Sequence, residues 1–185
     1  SGATTTFDDQ DSLYTLCVRG IENGEFVHQN IISSAISRVI SAEREWQSIL
    51  EIAKSADLQI IVSNTTEVGI QLVNESINQN PPASFPAKVL AVLHERFKSL
   101  GAVNSGLVII ATELIPDNGK KLAAIVLDLA RFNQLDEDFI TWLQTENNFC
   151  NSLVDRIVPG KPDANTLTAL EEELGYTDQL LSMTE

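Results

Sequence analysis

The chain has 185 residues, 43% of them hydrophobic and 21% charged, and carries a formal net charge of −14. That is the composition of an ordinary folded domain able to bury its own core, and it excludes a disordered chain. The charge excludes docking of a basic face on nucleic acid or an anionic membrane, and two distant cysteines, Cys17 and Cys150, with no Cys/His cluster, give neither a disulfide framework nor a zinc site.

Residues 13–19 alternate as a strand, and Asn23-Gly24 marks a tight turn before Phe26-Val27, which together predict a hairpin. Residues 36–41 form a short β-branched strand candidate, with Ser41 as N-cap of a helix over 43–55 that lines up Trp46, Ile49, Leu50 and Ala53 on one face. Next, Ile60-Ile61-Val62-Ser63-Asn64-Thr65-Thr66-Glu67-Val68-Gly69 reads as a buried strand that breaks off in polar, loop-forming residues. Pro81-Pro82 interrupts the chain, Ser84 caps a helix over 85–100, and Gly101 ends it. Gly106 precedes a continuous apolar strand over 107–111.

Asp117-Asn118-Gly119 opens a helix over 120–132, and a shorter one follows over 136–145 with Phe139, Ile140 and Leu143 inward. A strand is expected over 150–157, interrupted by Asp155-Arg156, before the rigid stop Pro159-Gly160-Lys161-Pro162 and a short acidic helix over 167–174 closed by Gly175. With no disulfide framework, a reducing cytoplasm is the expected setting; no apolar run approaches the ~18 residues that span a bilayer, and no charged-then-apolar secretion signal begins these residues.

Strands alternating with helices, the strands nearly all apolar, call for right-handed βαβ crossovers. The expected fold is a doubly wound α/β domain with a mainly parallel sheet and helices on both faces. Ligands of such sheets bind where the strands end. Asn64, Thr65 and Thr66 suit either turn hydrogen bonds or ligand contacts, and Glu67 is a solvated loop carboxylate, a cap of the next helix or a site group. From spacing alone Asp155 and Arg156 suit a structural ion pair at a strand terminus, while Asn118 before Gly119 is by default a helix-start residue. His94 reads as a surface or core-edge residue, and Cys150 as a buried inert thiol.

Five spaced motifs, in order, carry a resemblance: Gln10-Asp11-Ser12-Leu13-Tyr14-Thr15, then Ser63 through Ile70, Ser84-Phe85-Pro86-Ala87-Lys88, Glu113-Leu114-Ile115 with Asn118-Gly119, and Phe149 through Pro159. Together they resemble the long-chain mannitol dehydrogenase family, with Val154-Asp155-Arg156-Ile157-Val158-Pro159 the most diagnostic block; Asn147 departs from the aliphatic residue or Tyr usual there. The resemblance implies a Rossmann-like domain, NAD as cofactor and a sugar acid as substrate. Within the family the branch interconverting D-tagaturonate and D-altronate by hydride transfer fits best, fructuronate reductase and mannitol dehydrogenase being the alternatives.

By the same resemblance the Thr66-Glu67 strand end lines the nicotinamide side of the cleft, which makes Asn64, Thr65, Thr66 and Glu67 the cofactor-binding candidates, and Asp155 contacts the substrate's polyol chain. The family's mannitol dehydrogenases place a carbonyl-polarising Asn directly after the acidic residue that matches Glu113. Here that position is Leu114, which favours the tagaturonate branch over the mannitol and fructuronate branches and leaves the part of Glu113 and Asn118 open. No Gly-x-Gly-x-x-Gly occurs, and the family's catalytic lysine belongs to a helical C-terminal domain. Residues 1–185 are therefore expected to be part of the N-terminal NAD-binding domain without its first Gly-rich βα unit, inactive alone, and with no protein partner beyond that C-terminal domain. A non-catalytic α/β binding module is the competing class.

Overall fold

The computed structural model describes residues 3–66, 68–154 and 157–183. The chain divides into two compact units, one made of residues 42–155 and the other of residues 1–41 and 156–185.

The larger unit holds α2 (Trp46–Ala53), β3 (Ile60–Ser63), α3 (Phe85–Leu100), β4 (Val108–Ala111), α4 (Asn118–Phe132), α5 (Glu137–Thr145) and β5 (Asn148–Cys150). Its three strands form a parallel sheet in the order β3-β4-β5, and the register sets Ile61 beside Ile109 and Ile109 beside Phe149. Those three side chains meet the core made by Leu90 and Leu93 of α3, Leu122, Val126 and Leu129 of α4, and Phe139 and Trp142 of α5. Each such fully buried side chain contributes about 1.5–3 kcal/mol. On the opposite face Ile60 and Val62 are 53% and 61% exposed, so β3 is half-buried rather than buried, and the described helices of this unit cover the Ile61–Ile109–Phe149 face.

Local chemistry explains where the helices begin and end. Ser84 Oγ accepts from Ala87 N–H at 3.3 Å, and the Glu75 carboxylate takes the Ala83 and Ser84 N–H groups at 2.7 and 2.8 Å, so the free amides opening α3 are satisfied. Gly101, at φ 73°, closes α3 by donating its N–H to the Phe97 carbonyl at 2.8 Å. The buried Arg96 guanidinium donates to the carbonyls of Ala53, Ser55, Leu58 and Ser105, which fastens α3 to the end of α2 and to the turns leading into β3 and β4. His94 lies at the core edge, its ring 5.1 Å from that of Phe139 and edge-on to it, with its pKa lowered by burial.

Several expectations are corrected. Residues 36–41 form no strand: β2 ends at Ser33, and no neighbouring strand offers them a ladder among the described residues. The helix expected over 43–55 is only Trp46–Ala53 with Glu45, not Ser41, in the N-cap position, because residues 42–44 form a turn. Cys150 is half-buried rather than buried. Among the described residues, which leave out 155 and 156, the strand expected over 150–157 is Asn148–Cys150, ending where it was expected to begin. Asn151 and Ser152 leave the ladder because their polar groups bond to the start of α4.

The other unit contains α1 (Ala3–Asp9), the antiparallel hairpin β1 (Tyr14–Glu22) and β2 (Glu25–Ser33), and α6 (Ala164–Leu174). Asn23 and Gly24 both take positive φ, 52° and 86°, the backbone of a two-residue hairpin turn whose twist matches the strands. Asp163 caps α6, which starts three residues earlier than expected, and Gly175 at φ 76° ends it. Buried Asp178 accepts from Thr15 N–H at 2.6 Å, Gln10 Nε2 at 3.0 Å and Leu180 N–H at 2.9 Å. Exposed Glu173 on α6 receives Arg19, His28 and Asn30 of the hairpin on a single oxygen, at 2.8, 2.8 and 2.6 Å.

Candidate functional site

The three parallel strands end on one side of their sheet, and the chain there is held by side chains rather than by further ladder bonds. Glu113, two residues beyond β4, is buried with 3% exposure. Its Oε1 accepts from Ser63 Oγ at the end of β3 and, at 2.9 Å, from the N–H of Thr65 in the following loop. Thr112 adds two bonds to the Ser63 carbonyl, from its N–H at 2.9 Å and from Oγ1 at 2.6 Å. The ends of β3 and β4 are therefore sewn together across about fifty residues of sequence.

Asn118, the first residue of α4 and 1% exposed, makes the corresponding tie on the other side. Its Nδ2 donates to the carbonyls of Glu113 and Ser152 at 3.0 and 2.9 Å, and its Oδ1 accepts from the N–H groups of Gly119 and Ser152 at 2.9 and 3.0 Å. Every hydrogen-bonding position of the amide is thus engaged. Ser152 Oγ donates to the Ala111 carbonyl at 2.5 Å, closing the end of β5 on β4. Gly119 makes the approach feasible, because a Cβ there would lie 2.4 Å from the Cys150 carbonyl oxygen.

Of the sequence-predicted site residues, Asn64 and Thr66 are exposed on the loop after β3, and Thr65 is half-buried with its N–H committed to Glu113. Glu113 and Asn118 are brought to the same edge. Leu114, where the resemblance to mannitol dehydrogenases would set a carbonyl-polarising Asn, is 55% exposed. Glu67 and Asp155 lie outside the described residues. Sequence reading missed Ser63, Thr112 and Ser152 as the groups that tie the strand ends, since a hydroxyl at a strand end has no pattern that names a partner 34 to 50 residues away. Asn147 also has a local explanation: buried, it accepts from Leu107 N–H at 3.0 Å and donates to the Trp142 carbonyl at 3.1 Å, joining the end of α5 to the start of β4.

One polar atom at this edge is left over. Among the described residues, Glu113 Oε2 is the buried side-chain oxygen or nitrogen without a hydrogen-bond partner. No group of three His, Cys, Asp or Glu suited to a metal ion occurs among the described residues, and no helix is long and apolar enough to cross a membrane.

A profile of the mannitol dehydrogenase Rossmann domain matches residues 3–185. The chain belongs to the mannitol dehydrogenase family. It is similar to altronate oxidoreductases from Halalkalibacterium halodurans, at 44% identity over 96% of the chain, and from Bacillus subtilis, at 40% over 96%. It spans 35% and 37% of the length of these two curated relatives. Among solved structures, it superposes on Pseudomonas fluorescens mannitol 2-dehydrogenase in ternary complex with NAD and D-mannitol with a TM-score of 0.76 at 21% identity, covering 99% of this chain and 38% of the other. It superposes on a D-sorbitol dehydrogenase in substrate-free form with a TM-score of 0.78 at 20% identity, over 99% of this chain and 39% of the other. The expected α/β, Rossmann-like fold is thereby shown, and the family resemblance seen in the five motifs is the correct one.

Proposed function

We propose that this chain is part of an NAD-dependent oxidoreductase that interconverts D-tagaturonate and D-altronate, and that it contributes most of the nucleotide domain, with the Gly-rich turn and the catalytic lysine supplied from outside these residues. The observation that carries this reading is the 40–44% identity to altronate oxidoreductases across 96% of the chain. A cytoplasmic setting goes with it.

The edge described above has the chemistry to receive a nicotinamide cofactor. It lies at the carboxyl ends of parallel strands, where open α/β sheets keep their ligands, and it holds a buried carboxylate oxygen with no partner among the described residues. Asn64, Thr65, Thr66 and Glu67 are the residues that would hold the cofactor. Its nicotinamide supplies the hydride acceptor or donor. Asp155 would accept hydroxyl hydrogens from the open-chain sugar acid and so orient it. Glu113 and Asn118 keep the strand-end loops in place, so the contact groups are fixed before a ligand arrives. The carbonyl contact implied for mannitol dehydrogenases does not transfer to this chain, where Leu114 occupies its position.

The test is loss of NADH absorbance by the full-length parent protein given D-tagaturonate, D-fructuronate or D-fructose. Preference for tagaturonate is expected. Preference for either of the others moves the protein to that branch, and no turnover with any of them removes the reading.

A further inference from the structure

At the strand-end edge the polar side chains can be followed one by one. The Asn118 amide is fully engaged, Ser152 Oγ is bonded to the Ala111 carbonyl, Thr112 Oγ1 to the Ser63 carbonyl, and Ser63 Oγ to Glu113 Oε1. Oε1 also accepts the Thr65 N–H. Only Oε2 of the same carboxylate stays buried and unpartnered among the described residues. Leaving a carboxylate oxygen out of water without a donor is costly, and native structures seldom do so without a use for the group.

We infer that Glu113 Oε2 is the acceptor for an N–H or O–H donor of the ligand bound at this edge. One carboxylate then has two tasks: Oε1 holds the Ser63–Thr65 turn, and Oε2 receives the ligand. Binding and the order of that loop are linked through a single side chain. A carboxylate oxygen accepts and does not donate, so it selects a ligand group that presents hydrogen. Resting on the reading under Proposed function, two such groups are available, the carboxamide N–H of the nicotinamide and a hydroxyl hydrogen of the sugar acid.

The test is Glu113→Gln in the full-length parent protein. Glutamine keeps an oxygen for Ser63 and Thr65 and puts an NH2 where Oε2 was, so a ligand donor then faces a donor. The probes are NADH, its reduced 3-acetylpyridine analogue, which lacks the carboxamide N–H, and D-altronate added to the NADH-loaded protein, a pair that does not react. Binding is read by fluorescence titration and calorimetry, and thermal melting of each protein is recorded alongside. If the carboxamide is the donor, unaltered protein binds NADH about tenfold more tightly than the analogue, one hydrogen bond's worth, and E113Q loses that preference. If a hydroxyl is the donor, NADH binding is unchanged in E113Q and altronate binding weakens about tenfold.

E113Q binding all three probes within about twofold of the unaltered protein, the range left by indirect effects, overturns the inference and leaves the proposed function standing. Unaltered protein that binds neither NADH nor altronate overturns both. Should E113Q fail to fold, Glu113→Asp, which keeps the carboxylate but withdraws it by one methylene, is read by the same criteria.

Discussion

Asn118 and Ser152 exchange two hydrogen bonds, Nδ2 to the Ser152 carbonyl at 2.9 Å and Ser152 N–H to Oδ1 at 3.0 Å, so a side-chain amide stands in for the backbone of a neighbouring strand. This pair turns the chain off β5 after Cys150 and directs it across the strand-end edge.

Replacing the amide tests that relationship. Asn118→Asp keeps the acceptor but removes the donor that serves the Glu113 and Ser152 carbonyls. The loss, with a carboxylate forced against two carbonyl oxygens, is expected to lower stability by about 2–4 kcal/mol. Urea denaturation checks it, and an unchanged midpoint would show that the pair is incidental.

Arg96 is a buried cation whose partners are carbonyls only. Burial holds its pKa below the usual guanidinium range. Lysine can present three donors to four carbonyls that are spread around the planar guanidinium, so Arg96→Lys is expected to cost about 2–3 kcal/mol and Arg96→Ala on the order of 3 kcal/mol or more. The readout is thermal unfolding, with a shift under a degree or two contradicting the fastening role assigned to this side chain.

Asp155→Asn in the full-length parent protein addresses the substrate side. If Asp155 accepts hydroxyl hydrogens from the sugar acid, catalytic efficiency falls roughly ten- to hundredfold, the worth of about 1.5–3 kcal/mol of charge-assisted bonding, while melting is unchanged. A lower melting temperature with intact efficiency in the folded fraction would assign Asp155 to a structural pair instead.

Glu173 gives the hairpin unit an acid dependence. The Asn30 and His28 hydrogen bonds, with Arg19 nearby, bring its pKa from 4.5 down to about 2. A carboxylate whose folded pKa is depressed adds stability that is complete above its unfolded pKa and disappears as pH falls through the folded one, here between about 4.5 and 2. Glu173→Gln should therefore flatten the melting temperature over that window. Because the group is exposed, the effect is small and fades in high salt. An acid limb identical in the two proteins at low salt would contradict it.

Much of the scaffold was readable from the chain because its punctuation is local. Ser84 and Gly101 bound α3, Asn23-Gly24 turns the hairpin, and the Ile109 strand is uniformly apolar. Misreadings came where apolar residues were not buried. Leu153, Val154, Ile157 and Val158 look like a strand, yet they are 90%, 49%, 64% and 61% exposed and follow a ladder that has already ended. The site was half legible: the polar residues after β3 and β4 announced a strand-end crevice, whereas the part played by Glu113 depends on contacts 48 and 50 residues away that no spacing encodes. Likewise Arg96 sat unremarked in an amphipathic helix because its partners are backbone carbonyls, which have no sequence signature.

Strand β3 has a neighbour on one side only among the described residues, and Ile60 and Val62 stand exposed along it. Where these residues stand alone, its outer row of amide and carbonyl groups is a template onto which a second copy can add, the first step of edge-to-edge growth. What opposes that growth in solution is mutual repulsion between copies carrying a net charge of −14. Salt shortens the reach of that repulsion to about 3 Å at molar concentration. Residues 1–185 expressed by themselves are therefore expected to scatter more light as salt rises, and less when Val62 is replaced by lysine.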